Sequence, residues 1–149
     1  MNIAATHFRP ISGQTTQPDS YPVTLFVDGQ KATTLSGGNG SWILTMKPGT
    51  TFGVQMYENP STGFVWQSEI RPADPRDKDY VKLDDSYFRP YQPLQDGSGG
   101  VRRFDFTSGD EKPKNMISLV FKLNMPWSET TKPVAERRLN ILFKSPKDV

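Results

Sequence analysis

Glycine and proline interrupt this chain so often that long helices have almost no room. The 149 residues include 12 glycines and 13 prolines, and the longest stretch free of both, from Arg76 to Arg89, has 14 residues. Both residue types disfavour the interior of a helix. Short runs of alternating apolar and polar residues lie between these interruptions, and this is the period of a β-strand. The sequence therefore predicts an all-β protein.

About eight short strands can be predicted from the alternation. The clearest run extends from Met116 to Leu123. The apolar residues that share one face in this and the other main runs are Trp42, Leu44, Met46, Phe52, Val54, Met56, Phe104, Phe106, Ile117, Leu119, Phe121, Leu123, Leu139, Ile141 and Phe143. We expect these side chains to form the core. Short strands separated by Gly and Pro turns are typical of an antiparallel β-sandwich.

The length fits a single domain. Residues 1–21 are polar and are predicted to form a flexible N-terminal extension, which leaves one domain at 22–149. Within that domain the charged segment 71–85 is predicted to be a long excursion from the core. No run reaches the ~18–20 apolar residues of a membrane span, and the first 20 residues lack the apolar core of a signal peptide. We expect a cytoplasmic protein with no membrane partner, or an endolysosomal or secreted one whose signal peptide was removed.

Composition excludes several kinds of chemistry. There is no cysteine, and His7 is the single histidine, so disulfides, thiol chemistry and a histidine-based triad are not expected. A net charge of +2 is too small to indicate nucleic-acid binding. The arginine pairs at 102–103 and 137–138 are predicted to lie on solvated faces. We therefore expect no enzyme activity, no cofactor and no metal.

The acidic residues offer one possible site. They are Asp74, Asp77, Asp79, Asp84 and Asp85, and all lie in the charged segment. A glycosidase pair needs a rigid cleft, and the spacing matches no calcium-loop signature. These carboxylates are predicted to be solvated.

Three loops carry more information. In the first, Asn59-Pro60-Ser61-Thr62-Gly63, proline favours an extended Asn59, glycine permits a positive φ, and two hydroxyls are left at the apex. An ordinary rigid turn would also fit this pattern.

The second and third loops are marked by glycine and by tryptophan. In Gly97-Ser98-Gly99-Gly100, the excess of glycine suits close approach by another chain, or simple flexibility. The third loop, Met125-Pro126-Trp127, follows the clearest strand. It offers a tryptophan that we expect to be exposed as a binding anchor.

These three loops, in this order, resemble the chagasin family of cysteine-protease inhibitors. The family motifs are an Asn-Pro-Thr-Thr-Gly loop, a Gly-x-Gly-Gly loop and an Arg-Pro-Trp loop, and the similarity extends roughly over residues 22–144. The family fold is an immunoglobulin-like β-sandwich. Two departures are evident, because Ser61 replaces a threonine and Met125 replaces the arginine.

The resemblance implies a reversible, tight-binding, non-covalent inhibitor of papain-like, cathepsin-like cysteine proteases, acting as a monomer. Three loops at one end of the sandwich would occlude the active-site cleft of the protease. The binding residues that it implies are Asn59, Pro60, Ser61, Thr62, Gly63, Phe64, Gly97, Ser98, Gly99, Gly100, Met125, Pro126 and Trp127. Two other functions stay open at this point. One is a carbohydrate-binding module that uses Trp127, Trp66 and tyrosines as sugar platforms. The other is a structural or adhesive β-sandwich.

Overall fold

The computed structural model describes residues 8–10, 21–93, 97–126 and 132–145, with the backbone alone at 8–10. The described chain contains ten strands: β1 (Phe8–Pro10), β2 (Val23–Val27), β3 (Gln30–Leu35), β4 (Ser41–Met46), β5 (Thr51–Glu58), β6 (Val65–Pro72), β7 (Val81–Pro90), β8 (Gly100–Ser108), β9 (Ile117–Asn124) and β10 (Ala135–Phe143). The helical segments in these ranges are short 3₁₀ turns, and none is long enough to span a bilayer.

The strands form two five-stranded sheets. Sheet A has the order β1-β4-β10-β9-β6 and sheet B the order β3-β2-β5-β8-β7. The pairings are antiparallel except that of β10 with β4, which is parallel. The predicted all-β sandwich is confirmed, with ten described strands in place of about eight and with one parallel pair.

The core lies between the two sheets. All the apolar side chains that the alternation assigned to it are buried, none more than 3% exposed. Phe121 of sheet A contacts Phe104 and Phe106 of sheet B, with ring centroids 5.3 and 6.2 Å apart. Burying a side chain of this size is worth about 1.5–3 kcal/mol, so these contacts stabilise the pairing of the sheets.

The charged segment 71–85 is not the predicted excursion from the core. Strand β6 runs to Pro72 and β7 begins at Val81, so only residues 73–80 connect them. The charges after Val81 lie on β7 because this strand forms an edge of sheet B, and edge strands commonly carry charges that prevent pairing with other chains.

The acidic residues of this segment do not behave alike. Asp77 is buried, and its carboxylate accepts the backbone N–H groups of Lys114 and Asn115, each at 3.0 Å. The prediction that it is solvated was therefore wrong. Asp74 accepts hydrogen bonds from the side chain and backbone of Arg76, which lower the pKa of its carboxyl to about 2.

Part of the predicted N-terminal extension has a strand conformation. Residues 8–10 pair antiparallel with β4, where Phe8 lies opposite Leu44. The rest of residues 1–20 lie outside the described ranges, so the domain boundary at residue 22 stays a prediction.

The strand register brings the three loops to one end of the sandwich. β5 ends at Glu58, opposite Gly100, where β8 begins. β6 begins at Val65, opposite Asn124, where β9 ends. The loops after β5, before β8 and after β9 therefore lie at the same end, which we call the loop end.

Candidate functional site

The loop between β5 and β6 is held rigid by its own side chains. Pro60–Thr62 forms a 3₁₀ turn that ends at Gly63, whose φ is 89°. The Asn59 Oδ1 atom accepts the backbone N–H of Ser61 at 3.3 Å and its hydroxyl at 2.6 Å, while the Thr62 hydroxyl donates to the Asn59 carbonyl at 2.7 Å. The extended Asn59 and the positive φ of Gly63 are confirmed. The two hydroxyls are not available as donors, because both bond within the loop.

The apex of this loop faces solvent. Pro60, Ser61 and Thr62 are exposed, and Asn59 and Gly63 are half-buried. Phe64 is also half-buried and packs against the core. A rigid, exposed turn with its polar groups already bonded loses little conformational entropy when a partner covers it.

The glycine loop is in direct contact with the first loop. The side-chain amide Nδ2 of Asn59 donates to the carbonyl oxygen of Gly97 at 2.9 Å. The backbone N–H of Tyr91, which follows β7, donates to the Gly99 carbonyl at 3.1 Å. This bond ties the end of β7 to the glycine loop. The structure thus brings two of the three predicted motifs into one surface.

The glycines are required for two different reasons. A Cβ atom at Gly99 would lie 2.8 Å from the Tyr57 hydroxyl and 2.9 Å from the Glu58 carbonyl, and one at Gly100 would overlap the Arg89 carbonyl oxygen. The close approach predicted from the sequence is therefore made, at these two positions, by strands of the same chain. Gly97 has open space around it, but its φ of 79° is a backbone conformation that favours glycine.

The third loop begins beside the first. Asn124, at the end of β9, pairs with Val65, and the residues that follow are a half-buried Met125 and an exposed Pro126. Trp127 lies outside the described residues, so its role as an anchor stays a prediction.

Three tyrosines form a stack beside the loops. The ring centroids of Tyr21 and Tyr57 are 6.3 Å apart, and those of Tyr57 and Tyr91 are 6.1 Å apart. Tyr91, the outer member, is 44% exposed. Tyr91 was not among the binding residues predicted from the sequence. The available signal was an aromatic side chain at the end of a strand, next to the glycine loop.

Trp66 cannot serve as a sugar platform. It is 3% exposed, its ring packs edge-on against Tyr21, and its indole N–H donates to the Tyr57 carbonyl at 2.8 Å. This removes one of the surfaces that a carbohydrate-binding function would need.

Two of the arginines predicted to lie on solvated faces are shielded: Arg137 is buried and Arg102 is half-buried. The guanidinium of Arg102 forms an ion pair with Glu58, whose side chain is completely buried. Arg137 is 5% exposed, and its Nε atom donates to the Tyr21 carbonyl at 3.0 Å. Both lie at inward-facing positions of their strands, where the alternation alone would predict apolar residues.

The described residues contain no group of three or more His, Asp or Glu side chains that could hold a metal ion. The fold and this surface together define a class of protein, a β-sandwich that presents preformed loops at one end. Sandwich folds commonly carry their binding surfaces on such loops.

Comparison with known proteins identifies the family. The model of the chagasin family of peptidase inhibitors, family I42, matches residues 45–141, which include all three loops. The chain therefore belongs to the chagasin family, and it is a peptidase inhibitor rather than an enzyme. The resemblance inferred from the three motifs is confirmed.

A solved structure supports the fold assignment. The crystal structure of a cysteine protease inhibitor from Entamoeba histolytica matches with a TM-score of 0.56 and 17% sequence identity, over 71% of this chain and 88% of that one. At this identity the similarity shows a shared fold. No curated protein matches the chain by sequence.

Proposed function

We propose that this chain is a reversible, tight-binding, non-covalent inhibitor of papain-like cysteine proteases. The observation that carries the proposal is the Asn59–Gly63 loop, which is exposed, internally bonded and tied to the glycine loop through Asn59 and Gly97. Family membership gives the class of activity, and the related Entamoeba protein is itself a cysteine protease inhibitor.

In this proposal the first loop enters the catalytic cleft and covers the active-site cysteine. The backbone at the exposed Gly97 and the half-buried Ser98 runs alongside the substrate-binding strand, where main-chain hydrogen bonds add affinity. Tyr91 contacts the protease on the side of the glycine loop. Met125, Pro126 and Trp127 contact it on the other side of the first loop.

The mechanism requires no chemistry from the inhibitor. The chain contains no thiol that could form a disulfide with the enzyme. Preformed loops reduce the entropy lost on binding, and a standard interface of about 1,600 Å² is compatible with nanomolar affinity. We further propose that the inhibitor acts as a monomer.

The direct test is a titration of the purified chain against papain with a fluorogenic peptide, and trypsin as the control protease. We expect competitive inhibition of papain, recovery of activity on dilution, no effect on trypsin and an intact inhibitor afterwards. Absence of papain inhibition by the folded chain, or stoichiometric cleavage within residues 59–63, would contradict the proposed mechanism. Light scattering of the free chain and of the complex tests the monomer proposal.

A further inference from the structure

A completely buried carboxylate lies at the base of the first loop. Glu58 is the last residue of β5, and its Oε1 atom accepts the backbone N–H of Trp66 at 2.7 Å. The two carboxylate oxygens also face the guanidinium of Arg102, with Nη2 2.8 Å from Oε2 and Nε 3.1 Å from Oε1. A buried charge persists in proteins only where it is paired and hydrogen-bonded in this way.

These bonds join the two ends of the loop. Glu58 directly precedes the Asn59–Gly63 loop, and Trp66 follows it at the start of β6. β5 belongs to sheet B and β6 to sheet A, so the carboxylate bridges the two sheets where the loop leaves one and enters the other. The bond from the Trp66 indole to the Tyr57 carbonyl makes a second link across the same gap.

The same carboxylate is connected to the glycine loop. Arg102 lies two residues into β8, which begins at Gly100, and Gly100 pairs with Glu58. One ion pair therefore fixes the base of the first loop against the strand that carries the second. Above it, the bond between Asn59 and Gly97 fixes the two loops to each other.

We propose that Glu58 and Arg102 are positioning residues for inhibition: their ion pair holds the Asn59–Gly63 loop in the conformation that fits the cleft and resists cleavage. The proposal rests on the proposed function. It differs from a simple stabilising role, since buried ion pairs can often be replaced by apolar residues without loss of stability. The fold would tolerate that replacement, but the loop would lose the acceptor that holds Trp66.

The test separates stability from positioning with the double variant Glu58→Leu/Arg102→Leu. We expect the variant to fold with a lowered melting temperature, because the buried Trp66 N–H loses its acceptor, and to inhibit papain at least 30-fold more weakly than wild type. We also expect fragments cut between Asn59 and Phe64 after prolonged incubation with the protease. In the free protein, the amides of Thr62 and Gly63, which bond within the turn, should exchange with solvent at least tenfold faster than in wild type.

The matched control is Arg103→Ala. Arg103 is the next residue of β8, its side chain is shielded to a similar extent (18% exposed against 20% for Arg102), and it pairs with Asp105 on the other face of sheet B. Its loss should lower stability but change inhibition less than threefold. An equal loss of inhibition in this control would mean that any loosening of β8 has the same effect, and would overturn the proposal.

Wild-type inhibition and wild-type amide protection in the double variant would also overturn it. Should that variant not fold, Arg102→Lys provides the same test, because it keeps the charge but loses the two-pronged contact. We expect faster amide exchange in the turn and weaker inhibition from Arg102→Lys, and unchanged values of both would refute the proposal. The exchange measurement needs no protease, so it stands even where wild type fails to inhibit papain and the proposed function itself is wrong.

Discussion

The two ends of the sandwich are closed in different ways. At the end opposite the loop end, separate turns bond to one another. The Gly49 N–H donates to the Gly109 carbonyl at 2.7 Å, and the Gly109 N–H donates to the Tyr80 carbonyl at 2.8 Å. Asp77 adds a further link, because its carboxylate accepts two backbone N–H groups from the turn before β9. The polar groups at this end are used to hold turns together.

At the loop end the polar groups are used within a loop and beneath it. Ser61 and Thr62 bond back to Asn59, and Glu58 and Arg102 form their ion pair below the surface. The apex of the first loop faces outwards, and Asn59 joins this loop to Gly97. One end therefore maintains the fold and the loop end presents a surface, so substitutions at the two ends should affect different measurements.

The largest effect on this contrast is expected from Asp77→Ala. The change removes a buried acceptor and leaves two backbone N–H groups without it, so the free energy of unfolding should fall by about 3 kcal/mol. Inhibition by the remaining folded protein should be unchanged. Urea denaturation and papain titration measure the two quantities. Asp79→Ala, at an exposed neighbour, should change stability by less than about 0.5 kcal/mol. A loss of affinity in Asp77→Ala would show that the two ends are coupled.

The converse change is Tyr91→Ala, at the loop end. We expect binding to weaken by about 2 kcal/mol, roughly 30-fold, because an exposed aromatic beside the glycine loop is a typical anchor. Stability should fall by less than about 1.5 kcal/mol, the value of its stacking contact with Tyr57. Leu83→Ala is the control, since Leu83 is equally exposed at 42% but lies nearer the other end of β7. If Tyr91→Ala inhibits papain as strongly as Leu83→Ala and wild type do, Tyr91 does not lie in the interface.

The link between the two loops is tested by Asn59→Asp. Aspartate keeps the oxygen that accepts from Ser61 but replaces the donor to the Gly97 carbonyl with a second acceptor, which repels that carbonyl. Inhibition should weaken about tenfold, or 1.4 kcal/mol, with little change in melting temperature. Surface plasmon resonance should show the weaker binding as a faster dissociation rate. An unchanged dissociation rate would mean that the two loops act independently.

The sequence could predict the sandwich because its determinants are local. Alternation in segments such as 116–123 and 137–144 places apolar residues on one face, and Gly or Pro ends each run. The first loop was also predictable, because Pro60 and Gly63 constrain their own backbone angles. The sequence motifs identified the family for the same reason, since each is a short contiguous segment.

What could not be predicted depends on pairs of residues that are distant in sequence. Glu58 and Arg102 are 44 residues apart, and nothing in either segment indicates that they form a buried ion pair. Asp77 appeared to belong to a solvated acidic run because its backbone partners lie 37 and 38 residues further along the chain. Charged side chains were therefore wrongly predicted to be exposed where a partner distant in sequence compensates for their burial.

A smaller effect, at the end opposite the loop end, is expected from Tyr80→Phe. Burial, with the nearby charges of Asp77 and Asp110, raises the pKa of Tyr80 to about 12 from an ordinary value near 10. The unfolded chain thus loses this proton first, so wild-type stability should decline as the pH rises from 10 to 12. The Tyr80 hydroxyl has no hydrogen-bond partner among the described residues, so phenylalanine should cost little at pH 7 and should remove this part of the alkaline decline. Melting curves of both proteins at pH 7 and 11 measure the fall in stability. An identical fall in both would contradict the raised pKa of Tyr80 as its cause.

The smallest effect is expected at the departure from the family motif, Met125. A half-buried methionine after β9 offers an apolar contact, to which we expect Trp127 to add, so binding at this loop should depend weakly on salt. Met125→Arg should change affinity by less than about 1 kcal/mol, because a charge at the rim of an interface is worth little. The inhibition constants of both proteins at low and high salt test this. A hundredfold gain that disappears in high salt would show that the target carries an acidic partner here. The arginine of the family motif would complement that partner, and Met125 would not.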